Sequence, residues 1–246
     1  MRAAAVPLWL LAALAPLCAG AASLDVSPIR IELTGKKPNA LLTLKNSGEA
    51  PARFQFRVYS WDESPAGDMI LADSTELSVF PALQQLGPRE ERKVRIGTTV
   101  KPGAKERTWR IFIEELPSAV EAEDRTKVRV LTRIGIPIFL EPVKPASGGE
   151  LVLTRDGAKL RLRVRNTGTV RFQPTELKLV LLGEKDERIE EKALSPWYVL
   201  ADADRLYAME VQPETCARAR RAVASATLEK GSLQAVLELP AGACAP

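Results

Sequence analysis

The sequence predicts an all-β protein made of two immunoglobulin-like β-sandwich domains in tandem. Three observations carry this. Short segments alternate apolar and polar residues with the period of two that lines apolar side chains along one face of an extended strand. Turn residues break these segments at short intervals. A Pro/Gly-rich stretch, Glu141-Pro142-Val143-Lys144-Pro145-Ala146-Ser147-Gly148-Gly149, separates two halves of ordinary domain size.

Residues 1–22 stand outside the pattern. Arg2 supplies a positive charge, and Ala3 to Cys18 form an uncharged, Ala/Leu-rich run too short to span a bilayer comfortably. Ala19-Gly20-Ala21 and Gly20-Ala21-Ala22 each offer the small-residue pattern read by signal peptidase. A signal peptide cleaved after Ala21 or Ala22 is expected. Leu17, just before Cys18, argues against a lipoprotein. The only other comparably apolar stretch, Ile134 to Leu140, is far short of a spanning helix. The mature chain is therefore expected to be exported, with no membrane insertion after cleavage.

The first domain is expected over 23–143. Leu24–Leu33 alternates and stops at Thr34-Gly35, and Leu41–Lys45 runs into the turn sequence Asn46-Ser47-Gly48. Phe54, Phe56 and Val58 alternate before Trp61. Leu77–Phe80 ends at Pro81, Lys93–Ile96 follows Gly87-Pro88, and Trp109–Leu116 ends at Pro117. An acidic loop then leads into Lys127–Leu140. Seven strands in about 120 residues is the count of an immunoglobulin-like sandwich. The second domain, 148–246, repeats the theme: Leu160–Asn166 alternates strictly, with further strands at Glu176–Leu182, Leu206–Val211, Ala222–Leu228 and Leu233–Leu239. Ala217–Arg221 is a basic run suited to a helical turn. The pattern Leu-x-Leu-x-Asn-x-Gly from Leu42 returns as Leu-x-Val-x-Asn-x-Gly from Leu162, which points to two related folds.

Composition removes most chemistry. The chain has no histidine, so His-assisted nucleophiles, His proton relays and nearly all catalytic zinc sites are excluded. Glu114 and Glu115 are strand neighbours pointing to opposite faces and cannot flank one bond. Glu190-Glu191 and the Glu121/Glu123/Asp124 group read as solvated loop charge. No Gly-rich phosphate loop is present, and no enzyme, cofactor or metal is expected. The net charge of +4, without a like-charged block and with few aromatics, gives no nucleic-acid surface. Cleavage leaves Cys216 and Cys244, an even pair in an exported chain, expected as one disulfide, with two buried free thiols as the alternative.

The most informative segment is Lys127–Leu140. Val128, Val130, Thr132, Ile134, Ile136 and Ile138 occupy every second position, and Pro137 removes one ladder donor. Such a strand is either a core element or a template offered to another polypeptide.

Several stretches together resemble the PapD-like periplasmic chaperones of the chaperone–usher pilus pathway. They are Ser23–Leu33, Leu42–Gly48, Trp109–Pro117 and Arg133–Phe139, in that order and spacing over the first domain. The resemblance implies two immunoglobulin-like domains with a cleft between them. It also implies a strand lent to incomplete pilus or fimbrial subunits and delivery to an outer-membrane usher; this donor-strand mode is a known example of strand addition. The inserted set is then Val128, Val130, Thr132 and Ile134. Family members hold the subunit's C-terminal carboxylate with an Arg from the first strand and a Lys from the seventh. Arg30 matches the first position. The lysine is absent, a departure similar to the divergent (archaic or alternative) branch, which leaves Arg133, Arg110 and Lys144 as candidates for the second partner.

Other readings are an exported structural or adhesive sandwich and a carbohydrate-binding module. A pilus subunit is expected to begin with a free alternating extension, whereas here a strand pattern starts at Leu24. Sugar sites expose aromatic platforms, whereas Trp61, Trp109 and Trp197 are scattered.

Overall fold

The computed structural model describes residues 24–64, 66–117, 130–157 and 159–240. The first half contains β1 (Leu24–Ser27), β2 (Ile31–Leu33), β3 (Asn39–Asn46), β4 (Ala52–Glu63), β5 (Met69–Asp73), β6 (Leu77–Phe80), β7 (Leu83–Leu86), β8 (Glu91–Thr98), β9 (Arg107–Leu116) and β10 (Arg133–Leu140). They form a sheet in the order β1-β3-β8-β6 packed on a second, β2-β10-β9-β4-β5, with β7 also paired to β4. Leu42, Leu44, Val94 and Ile96 from one sheet meet Phe54, Ile111, Ile113 and Trp109 from the other in a closed core. Each of these is an inward member of an alternating strand, which is why the period of two was enough to find them.

The expected strand Leu24–Leu33 is two strands in different sheets. Val26 pairs with Leu44, while Ile31 pairs in parallel with Ile138. The chain changes sheets across Pro28-Ile29-Arg30, so Val26 and Ile31 reach the same core from opposite sides. Neither β5 nor β7 was expected, since neither carries a run of buried residues. They form because β4 is 12 residues long and leaves an edge beyond β9 that two short strands pair.

The second half contains β11 (Gly149–Asp156), β12 (Lys159–Asn166), β13 (Glu176–Leu182), β14 (Arg188–Leu194), β15 (Asp204–Glu210), α1 (Pro213–Arg218), β16 (Arg221–Thr227) and β17 (Ser232–Glu238). Sheets β11-β12-β15 and β14-β13-β16-β17 form the second sandwich. On β12 the strict alternation buries Leu160, Leu162 and Val164 and exposes Arg161, Arg163 and Arg165. The short helix starts earlier than the basic run, with Pro213 at its first turn, where a missing N–H costs nothing. β11 and β14 were not expected.

The repeated Asn-x-Gly pattern has one structural cause. Asn46 Nδ2 donates to Ala50 O at 2.8 Å and Gly87 O at 3.0 Å, and its Oδ1 accepts the Gly48 N–H. Asn166 Nδ2 donates to Val170 O and Val199 O, both at 2.9 Å, and its Oδ1 accepts the Gly168 N–H. Both side chains are 1% exposed. Each closes its own turn at i+2 and i+4 and ties it to a distant loop of the same sandwich. Among the described residues, no helix is long and apolar enough to cross a membrane.

Candidate functional site

Strand β10 is covered unevenly. On one side β9 pairs it along its whole length, from Arg133 opposite Glu114 to Leu140 opposite Arg107. On the other, β2 covers only Ile138–Leu140. The Glu115 N–H donates to Thr132 O at 2.9 Å, so Thr132 and every second residue after it turn their main-chain groups towards β9. The main-chain groups of Arg133 and Gly135 therefore face an edge that no described strand covers, while the register of Ile138 with Ile31 gives the Pro137 carbonyl to β2. Pro137 sits at an outward position, where its missing N–H costs no bond to β9.

The predicted donor residues divide. Val128 lies outside the described residues. Val130 is 79% exposed. Thr132 is half-buried just before the strand, its N–H donating to Glu115 Oε2 at 3.1 Å. Ile134 packs at the margin of the first core, continuous with buried Ile136 and Ile138. The six β-branched residues are thus not one uniform set: those deeper along β10 serve the protein's own core.

The other face of β10 carries Arg133, Gly135, Pro137 and Phe139, opposite the core-facing Ile134, Ile136 and Ile138. Continuing the β2 register one step places Arg30 beside Pro137, whose partner is Arg110, whose partner is Tyr59. Arg30 is exposed and ion-paired with Glu32 at 2.9 Å. Arg110 is buried; its guanidinium lies 4.5 Å from the Trp61 ring centroid and 5.5 Å from that of Trp197, and its Nε has no hydrogen-bond partner. Burial lowers its pKa, opposed by the charges of Tyr198 and Glu63. Arg133 lies four residues from Pro137 along β10, about 13 Å at strand rise. It pairs with Glu114 at 2.9 Å and stacks 4.1 Å from the Phe112 centroid. That ring lies over Gly135, where a Cβ would come within 2.9 Å of it. Lys144 is exposed in the segment between the sandwiches. The structure brings Arg30 and Arg110 into one row and leaves Arg133 apart.

Where the sandwiches meet, Trp61 and Phe139 of the first pack on Leu200 and Tyr198 of the second. Two carboxylates of the first sandwich are buried in the same junction. Glu63 Oε2 accepts the Leu200 N–H at 2.9 Å, and its Oε1 lies 3.6 Å from Arg205 Nη1. Burial pushes its pKa up to about 6. Glu106 Oε2 accepts the Arg171 N–H at 3.0 Å and Oε1 pairs with the Arg171 guanidinium, yet burial still raises its pKa. Arg171 itself lies 3.4 Å from the Phe139 centroid. Sequence reasoning missed Glu63, Glu106, Arg171 and Arg205, because no local pattern marks them. Cys216 is buried in the second core, and Cys244 lies outside the described residues.

The fold and this geometry define a class: tandem immunoglobulin-like sandwiches with an uncovered strand edge beside a row of arginines. Residues 23–146 match the family described as pili and flagellar-assembly chaperone, PapD N-terminal domain, and the chain belongs to that family of chaperones. Solved structures share the fold. A chain of the archaic Csu chaperone–tip subunit pre-assembly complex from Acinetobacter baumannii is 18% identical, with 86% of this chain and 98% of that chain covered and a TM-score of 0.62. A chain of the Salmonella enterica SafA pilin–SafB chaperone complex is 17% identical, covering 87% and 96%, at 0.59. The E. coli chaperone DraB is 18% identical, covering 89% and 100%, at 0.55. A comparison with curated proteins finds no significant sequence match.

Proposed function

We propose that the protein is a periplasmic chaperone that binds and stabilises pilus or fimbrial subunits by donor-strand complementation and delivers them to an outer-membrane usher. The observation that carries this is the uncovered main-chain edge at Arg133–Gly135, set beside the Arg30–Arg110 row. A subunit strand added there gains ladder hydrogen bonds whatever its sequence. Val128, Val130, Thr132 and Ile134 then fill the subunit's open groove. Burying a side chain as exposed as Val130 contributes roughly 1.5–3 kcal/mol before ordering costs.

Arg30 and Arg110 anchor the subunit's C-terminal carboxylate, with Arg133 guiding the strand further along. The unpartnered Nε of Arg110 supports its place in this pair. The missing lysine supports placement in the divergent branch. Residues 1–22 act as the signal peptide, and 23–143 and 148–246 are the two domains. Cys216 pairs with Cys244; that Cys216 is disulfide-bonded, with Cys244 the other cysteine of the mature chain, supports the pairing.

The test is co-purification from periplasm with each small exported β-protein encoded beside this one, comparing wild type with Val130→Asp. A stoichiometric complex that the substitution abolishes, in a variant that still melts cooperatively, is expected. A partner retained by the variant places binding elsewhere, and no partner with either form overturns the chaperone reading.

A further inference from the structure

We propose that the junction between the two sandwiches is an acid-tightened latch, which closes more firmly when Glu63 of the first is protonated than when it is ionised. The Glu63 carboxyl side chain is almost fully enclosed, 1% exposed. It meets Leu200 and Arg205 of the second sandwich. Glu63 receives one N–H bond there, while its Oε1 is left without a hydrogen bond. The charges facing it are Asp62 on its own strand, Arg110 on β9, and Arg205 and Tyr207 on β15. Arg205 stands at 3.6 Å and is already spent on Gly67 O at 2.8 Å.

The sign follows from which state binds the proton better. With the latch closed, burial outweighs these partners and Glu63 titrates near 6; with it open, water restores the ordinary value of 4.5. The closed state therefore holds more protons between those values, so closing is favoured as pH falls through 6 and disfavoured above it. Between pH 8 and pH 5 Glu63 alone shifts the closed-to-open ratio about eightfold. Opening also lifts Trp197 from Arg110, so the latch governs access to that guanidinium.

Hydrogen exchange on the full mature chain tests this. The Leu200 amide reports opening directly, because Glu63 is its acceptor. After correction for intrinsic rates, its protection is expected to rise about eightfold from pH 8 to pH 5, while core amides at Ile111 and Leu162 do not follow. In Glu63→Gln the rise at Leu200 is expected to vanish. Protection at Leu200 that is flat, falls towards acid, or moves in step with Ile111 and Leu162 overturns the latch, as does a rise that survives in Glu63→Gln. The comparison of Leu200 with the core amides in the wild type decides the matter even where the variant fails to fold.

Discussion

Replacing Arg110 by methionine separates the stability of the first sandwich from its capacity to bind. In the wild type a guanidinium is held below two indoles, at 4.5 and 5.5 Å, with Nε unpaired and burial opposing its charge. Methionine keeps the length and apolar stem, and its sulfur packs well against aromatic rings. The loss is two cation–π contacts of about 0.5–2 kcal/mol each. The relief is the cost of desolvating a charge, several kcal/mol before compensation. These terms largely offset, so Arg110→Met is expected to unfold in denaturant within about 1 kcal/mol of wild type, or later. Capture of a strand ending in a free carboxylate should behave differently. A charge-assisted contact contributes about 1.5–3 kcal/mol, which corresponds to a loss of about 10- to 140-fold in affinity. The assay is calorimetric titration with the C-terminal strand of a co-purified subunit, as free acid and as amide. The free acid should lose its advantage over the amide in the variant. A variant that keeps that advantage refutes the anchor, and one destabilised by 3 kcal/mol or more shows that Arg110 is a structural element.

Asn46→Ala and Asn166→Ala should each cost about 2–4 kcal/mol in chemical denaturation, because three hydrogen bonds vanish and buried partners lose their acceptor or donor. The two losses should be of similar size; a cost below about 1 kcal/mol at either site contradicts the shared role. Gly135→Val forces the Phe112 ring away from a Cβ that would lie 2.9 Å from it, and so unstacks Arg133. It should lower stability by about 1–3 kcal/mol despite valine's preference for strands, read as a fall in melting temperature.

Much of this protein was legible in its sequence. Alternation is a local property, so Leu42, Leu44, Leu160, Leu162 and Ile136 could be assigned to inward faces without knowing what they face. The Asn46 and Asn166 turns were visible for the same reason, since two of the three side-chain hydrogen bonds of each close within four residues. Arg133–Leu140 of the long β-branched segment forms a strand, and β13 lies where its alternation put it, at Glu176–Leu182. Tertiary structure decided the rest, because it depends on register between strands and on surfaces that meet far apart in the chain. Alternation could not show that the chain changes sheets at Pro28, nor that Ile136 and Ile138 serve the protein's own core while Val130 stays exposed. It offered three arginines as anchor candidates, and only cross-strand register set Arg110 in the row of Arg30. Glu63 and the Leu200 amide are 137 residues apart, a contact no period or motif encodes, and their burial together exists only once both sandwiches have folded and met.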